Sequence, residues 1–339
     1  MRQIVVIGDG GVDKLRIQRV PDPLPAPNEV IIDVQAAGLN FADVLAVQGI
    51  YQDAPKKPCV LGYEVAGIIS DVGRNIDPKW ISRPVIALTR FGGQAEKVAV
   101  PIEQVFGKPD KLTYEQAAVL PVNYLTAYAL VVVMGGLTDD ETILIQNAGG
   151  GVGLAAVDIA HHIGAIIYGT ASSHKHQFLR NRGVDYAIDY HRKDWISGIK
   201  RLTGGKGVEL ILDATGGSQW RDCYKLLRPT GRLGIYGISE ASSKSSLMAK
   251  FRLIRTVLSM PRFHPVSLMQ QNKGVFGLNL GHLWEEGQKI RGWMRSIYEG
   301  VEEGWIRPQV DKVFEFEDAD RAYQYLAEGR NIGKVVLVP

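Results

Sequence analysis

Only two cysteines occur in 339 residues. Cys59 and Cys223 stand far apart and in no Cys-x-x-Cys pattern, so a four-cysteine zinc lobe is excluded. A disulfide between them is disfavoured in a reducing compartment, and the expected role of both is as small apolar fillers. Long apolar runs are also missing. Nothing approaches the ~20 residues of a spanning helix. The opening run Met1–Ile7 reads as a strand reaching Gly8, without the longer apolar core and cleavage site of a signal peptide. The expected location is cytoplasmic. Charge of one sign is not in excess: a formal net charge of +3 is too small over this length to imply a nucleic-acid partner. Internal repeats and low-complexity tracts are absent.

What is present is ordinary soluble composition, 45% hydrophobic and 22% charged, enough for a sizeable core. The length points to two domains. The N-terminal third is rich in proline and glycine. Its short apolar runs, such as Val30–Val34 and Val65–Ile69, are separated by turn signals at Pro21-Asp22-Pro23 and Asp77-Pro78. It reads as a mostly β unit. The middle third alternates short apolar runs with helix-length amphipathic stretches. The runs are Thr142–Ala148, Ala165–Thr170, Tyr186–Tyr190, Val208–Ala214, Arg232–Ile238 and Gly274–Leu280. Continuous Val/Ile/Leu runs predict parallel strands buried on both faces, hence a doubly wound α/β sheet. The last sixty or so residues predict helices over Leu283–Glu303 and Glu317–Glu328, and strands over Val310–Phe316 and Lys334–Val338. These fit the first unit better, because six strands already complete the second sheet. The expected division is 1–123 with 281–339, and 124–280.

Gly149-Gly150-Gly151-Val152-Gly153 follows the first of the six runs and opens the helical pattern Leu154, Val157, Ile159, Ala160, Ile163. Gly149-x-Gly151-x-x-Leu154 matches a dinucleotide fingerprint without its third glycine. The strand before it and the helix after it supply the context the motif needs. Glycines let backbone approach a pyrophosphate, and the helix N-terminus offers free N–H groups. A second glycine cluster, Gly8-x-Gly10-Gly11, is followed by the strand-like Val12–Ile17 and reads as a hairpin turn. An NAD site typically ends its second strand on Asp or Glu. No acid stands between Ala165 and Val184. Ser172, Ser173 and Lys175 stand there instead and fit a 2′-phosphate, so NADPH is the expected cofactor. Ser172-Ser173 could equally cap the next helix.

Several motifs together resemble the medium-chain dehydrogenase/reductase superfamily over the whole chain. They are Ala36–Asp43 (AAGLNFAD), Leu61–Gly67 (LGYEVAG), Asn123–Ala127 (NYLTA), the glycine loop, and the ending Gly333–Leu337 (GKVVL). Within it the chain is similar to the quinone oxidoreductase group. Gln48–Tyr51, Asn123-Tyr124, Arg262–Pro265 and Gly277-x-x-Leu280-Gly281 resemble its vesicle amine transport protein branch. The resemblance implies a GroES-like mostly-β catalytic domain beside a Rossmann domain. Zinc members carry a cysteine near the Asn40 position and a histidine where Tyr63 stands. Neither ligand is present, so no metal is expected. Five histidines, 161, 162, 174, 176 and 191, fall in the cofactor region and do not replace them.

The resemblance also places Asn40, Asp43, Tyr51 and Asn123 around a nicotinamide cleft. Tyr51 or Asn40 would donate to a substrate oxygen, with a proton from Tyr51 or water, and Asp43 would orient Asn40 or the cofactor. Helix capping is the other reading of Asn40 and Asp43, and packing is the expected role of Tyr63. Thr126, Tyr190, Tyr236, Leu278, Asn279 and Asn331 are implied on the cofactor. A homodimer paired through the sixth strand is implied as well.

Glu240–Pro265 carries Lys244, Lys250, Arg252, Arg255 and Arg262 among many apolar residues. The favoured reading is a helix packed over the sheet with solvated charges. The other is an amphipathic helix on an anionic membrane, through 244–262. Two function classes follow: a reductase of quinones or activated alkenes, or an NADPH-binding, membrane-associated interaction protein with vestigial catalysis. An enoyl-thioester reductase is a third.

Overall fold

The computed structural model describes residues 1–192, 194–243 and 246–339. Lys244, counted above in the basic stretch, lies outside the described residues.

Six parallel strands form one sheet. Their spatial order is Tyr186–Asp189, Ile166–Ala171, Thr142–Ile145, Val208–Asp213, Leu227–Ile235 and Gly274–Gly277. The order reverses beside Thr142–Ile145, the strand that feeds the glycine turn, and doubly wound sheets bind ligands at such a switch point. Burial alternates between two cores. Ile143, Ile145, Leu210 and Leu212 face one cluster with Leu154 and Val157 of the helix Gly151–Ile163. Leu144 and Ile211 face the other, with Ile199, Cys223 and Leu226. Apolar residues therefore run on at successive positions, because both faces are covered.

The second large sheet is mostly antiparallel. Val310–Glu315, Lys334–Val338, Glu29–Leu39, Glu64–Val72, Pro84–Leu88 and Val105–Gly107 run in order, and Lys97–Pro101 pairs with Glu29–Leu39. The C-terminal strands thus join the N-terminal ones. Val335 pairs with Leu39 and Val336 with Gly38, so Lys334 is brought beside Asn40. On the other side Ala37 pairs with Val65, so Glu64 is brought beside Gly38. A hairpin of Arg2–Val6 with Leu15–Arg19 forms a third, small sheet with Cys59–Val60, and the Gly8–Gly11 loop turns it. Both cysteines are free.

The expected strand Thr142–Ala148 stops at Ile145, because Asn147 at φ 53 turns the chain out of extension. Gly274–Leu280 stops at Gly277 and runs into a turn at Leu280–His282. The helix expected from Leu283 starts at Gly287, and the last helix is Ala319–Ala327. The basic stretch holds a helix, Ser246–Ser259. Lys250, Arg252 and Arg255 are exposed on it, with exposed Leu247, Phe251, Ile254 and Leu258 among them.

Candidate active site

The strand Glu29–Leu39 ends at Asn40, whose extended backbone opens the helix Phe41–Val47. Asp43 is the third residue of that helix, and its carboxylate reaches back to accept the Asn40 N–H at 2.8 Å. Its other oxygen accepts the Gly62 N–H at 3.1 Å. Gly62 sits at φ +101, and a Cβ there would lie 2.8 Å from the Gln94 nitrogen, so the turn admits only glycine. Capping is therefore what Asp43 does. Burial pushes its carboxyl up to about 7, against the opposing pull of those two N–H groups and of Lys334.

Asn40 has a different task. Its Oδ1 accepts from Lys334 Nζ at 2.6 Å, and its Nδ2 donates to Glu64 Oε1 at 3.2 Å and to the Gly38 carbonyl at 3.3 Å. Both amide hydrogens are engaged within the protein, which removes Asn40 from the role of substrate donor in this arrangement. Lys334 also pairs with Glu64 Oε1 at 2.7 Å, and both side chains are buried. Glu64 Oε2 accepts the Val122 N–H. Gly38 makes room for the pair: a Cβ there would lie 2.6 Å from Glu64 Oε1. Two buried charges survive here because each has its counterion and further hydrogen bonds.

Asn123 links this cluster to the glycine turn. It lies in the helix Pro121–Tyr128, on the same face as buried Thr126. Its Oδ1 is 3.4 Å from Lys334 Nζ, and its Nδ2 donates to the Val119 carbonyl. A Cβ on Gly151 would fall 2.7 Å from the Asn123 amide.

Tyr51 stands on the rim, edge-on to the Tyr63 ring at 6.2 Å, and Tyr63 packs in turn on Phe91. Burial raises the Tyr51 and Tyr63 hydroxyls. Tyr63 packs as expected, yet no hydrogen-bond partner meets its buried hydroxyl among the described residues. Beyond Tyr51, Asp53 accepts from Asn279 Nδ2 at 3.1 Å and lies 3.0 Å from His282 Nε2. His282, and then Asn279, holds the Asp53 carboxyl below its ordinary value. This latch joins the loop after Tyr51 to the turn after the sixth strand.

The glycine turn fits a dinucleotide. No side chain caps the helix Gly151–Ile163, so its first-turn amides meet no side-chain acceptor and suit an anion. A Cβ on Gly153 would lie 2.4 Å from the Asn147 carbonyl, and one on Gly149 3.0 Å from the Lys175 side chain. The returning chain covers the turn. Gly333 N–H donates to the Gly149 carbonyl at 2.9 Å, and Gly150 bridges to Gly333.

Lys175 is buried. Its ammonium donates to the carbonyls of Gly329 and Asn331 at 2.8 and 2.6 Å, and burial lowers its pKa. Two of its three donors are thus spent on the C-terminal turn. Asn331 is buried there too and donates to the Gly333 carbonyl. Ser172 caps no helix: its hydroxyl lies 3.2 Å from Tyr190 Oη and 3.3 Å from His191 Nε2. Ser173 is exposed and lines a cavity of about 400 Å³ with His176, Asp189, Arg192 and Arg201. Val152, Tyr236 and Leu278 are half-buried against the core under the helix Gly151–Ile163, and burial raises the Tyr236 hydroxyl. Among the described residues no group of three His, Cys, Asp or Glu is placed to hold a metal ion.

Sequence reasoning missed Lys334, Glu64 and Arg192. The signal for the first two was a charge inside an apolar strand run, at Gly333-Lys334-Val335 and Tyr63-Glu64-Val65. Arg192 follows Tyr190 by two residues, and arginine suits a 2′-phosphate.

Comparison with known proteins places these features. A family model described as zinc-binding dehydrogenase matches residues 182–337, and one described as alcohol dehydrogenase GroES-like domain matches residues 26–110. The chain is 37% identical over 344 residues to the synaptic vesicle membrane protein VAT-1 homolog of Homo sapiens, covering 100% of this chain and 86% of that protein. The structure of the human VAT-1 homolog-like protein superposes with a TM-score of 0.86 at 30% identity, over 100% of this chain and 98% of that one. Escherichia coli quinone oxidoreductase complexed with NADPH gives a TM-score of 0.88 at 25% identity, over 100% of both chains.

Proposed function

Because this chain belongs to the medium-chain dehydrogenase/reductase superfamily, in its zinc-free quinone oxidoreductase group beside the VAT-1 proteins, we propose that it is an NADPH-dependent reductase of quinones or activated alkenes and carbonyls. The observation that carries the reading is a short bridge of side chains. Asn123 packs on Gly151 of the uncapped glycine turn and reaches Lys334, which holds Asn40. An anion-ready turn and a buried polar cluster are thus one residue apart.

In this reading the amides of Gly151, Val152 and Gly153 hold the pyrophosphate. Ser172, Ser173, Lys175 with its remaining donor, and Tyr190 take the 2′-phosphate end. Thr126, Tyr236, Leu278, Asn279 and Asn331 line the rest. Bound there, the reduced nicotinamide supplies a hydride. The chain's own residues polarise the acceptor. Tyr51 is the donor, because it stands on the rim with its hydroxyl kept protonated at neutral pH by burial, whereas both amide hydrogens of Asn40 are engaged. Tyr51 or a water then delivers the proton to the substrate oxygen. Asp43 and Lys334 position the strand end and Asn40.

The test follows NADPH oxidation by purified protein given an ortho-quinone or an activated enone, with NADH as control. Turnover with NADPH at least about tenfold above NADH supports both the activity and the phosphate site. Preference for NADH sinks the site. NADPH binding without turnover of any such acceptor favours an NADPH-binding interaction protein instead.

A further inference from the structure

A group that gives up its proton at every turnover must regain one. Tyr63, on one side of Tyr51, offers no route to solvent, because its hydroxyl is buried and meets no hydrogen-bond partner among the described residues. On another side stands the turn at Leu280–His282. A Cβ on Gly281 would lie 3.8 Å from Tyr51 Oη, so this turn comes close to the hydroxyl. Asn279 Nδ2 and His282 Nε2 meet the same oxygen of Asp53, Oδ2, at 3.1 and 3.0 Å. The Gly281 N–H donates to Asn279 Oδ1 at 3.0 Å, which keeps the amide nitrogen toward Asp53. The chain turns between Tyr51 and Asp53, with the Ala54 N–H donating to the Tyr51 carbonyl at 3.3 Å. The two side chains act on each other. Asp53 adds to burial in raising the Tyr51 hydroxyl, and Tyr51 adds to His282 and Asn279 in lowering the Asp53 carboxyl. Asp43 acts on the same hydroxyl through space, and among the described residues His282 is the one charged partner of Asp53. Exposure rises outward: the Asp53 side chain is 37% exposed and that of His282 63%. The path from Tyr51 through Asp53 to His282 thus ends in water.

The chemistry of the three groups suits proton supply. An imidazole between a carboxylate and solvent can take a proton from one and give a proton to the other. When Tyr51 acts, its Oη–H bond breaks and an O–H bond forms on the substrate oxygen. A proton then leaves His282 Nε2 for the Asp53 carboxylate, and the Asp53 carboxyl passes a proton to Tyr51 Oη. His282 recovers its proton from solvent. No electrons are transferred in these steps, and the net result is one proton moved from solvent to the substrate oxygen. The direction is set by basicity. The Tyr51 phenolate is the stronger base, because its hydroxyl is raised by burial while the Asp53 carboxyl is lowered. The proton therefore settles on Tyr51, and the carboxylate is regenerated.

We propose that Asp53 and His282 form the proton supply of Tyr51, a relay from solvent that rests on the reading of Tyr51 as the donor. Both act through Tyr51. The test measures turnover of an ortho-quinone or an activated enone by the full chain with NADPH, across pH, with and without added imidazole at constant ionic strength. We expect kcat of His282→Gln to fall about fivefold, less than at Tyr51 itself because water also reaches an exposed site. KM and NADPH affinity stay unchanged, and imidazole restores most of the loss. Asp53→Asn falls at least as far and is not restored, because the link between imidazole and Tyr51 is missing. On a Tyr51→Phe background neither substitution lowers the rate further. Carbon-13 NMR of the Asp53 carboxyl reads the contacts without any turnover: its titration moves up toward the ordinary range in His282→Gln and, by less, in Tyr51→Phe. No turnover by the wild type, or a Tyr51→Phe rate equal to it, removes the donor reading and the relay with it. A slow Tyr51→Phe beside Asp53→Asn and His282→Gln at the wild-type rate leaves the donor standing and overturns the relay. A change in KM alone, without rescue by imidazole, also overturns it and makes the pair a latch on the cleft.

Discussion

The glycine turn at 149–153 offers backbone: amides with no side-chain cap, close approaches and almost no side-chain chemistry. The cluster across from it offers side chains: Asp43, Glu64 and Lys334 are buried charged residues, each tied to groups far away in sequence. A backbone site needs only the right local turn and tolerates many neighbours. A buried ionic site needs every member at once, because removing one leaves a charge that cannot be solvated. The two sides should therefore fail differently when altered.

The largest effect is expected at the side-chain cluster. Lys334→Met strands Glu64 in the core and costs about 3–5 kcal/mol of folding stability, read as a lowered urea midpoint at unchanged slope. A loss below about 1 kcal/mol would mean that Glu64 takes a proton or a new partner, and the contrast between the two sides would weaken.

Tyr51→Phe comes next and acts on rate alone. We expect kcat to fall about 10²-fold with NADPH affinity and melting temperature unchanged. An equal fall with Asn40→Ala but not with Tyr51→Phe would return the donor role to Asn40.

On the backbone side, Gly151→Ala pushes a methyl into Asn123. It should cost about 1–3 kcal/mol, with NADPH binding lost more steeply than folding. Fluorescence titration of NADPH beside a denaturation curve separates the two.

Asp43 sharpens the comparison through pH. Its carboxyl sits at about 7 in the fold against an ordinary 3.8, so the folded state binds the extra proton. Its contribution is fully present below about pH 4 and is gone once pH passes about 7. Melting temperature should fall between those limits in the wild type relative to Asp43→Asn. Parallel curves for the two proteins would contradict the raised value.

The smallest effect is expected at the Asp53 latch. His282→Ala removes an exposed contact and should cost less than about 1 kcal/mol, most visible as a changed KM if the latch governs access to the cleft.

Much of this was legible in order along the chain. The six buried runs, the glycine turn and the returning C-terminal strands follow from local periodicity and turn chemistry, which neighbours in sequence dictate. Boundaries slipped where a single backbone angle intervened, as at Asn147. Asn40, Asp43, Tyr51 and Asn123 were recognisable by resemblance, and capping was already one reading of Asp43, but their partners were not legible. Asp43 is a cap with a raised pKa. Asn40 is held from both sides. Ser172 turns to Tyr190 rather than to the helix behind it.

The sequence by itself determined the elements, their order and the anion-ready turn, because hydrophobic period and glycine geometry act over a few residues. Only the tertiary structure decided that Lys334 lies beside Asn40 and Glu64, that Asn123 joins them to the turn, and that exposed apolar residues stand among the charges of the basic helix. Strand register and burial couple residues some 300 positions apart, and no local pattern carries that information.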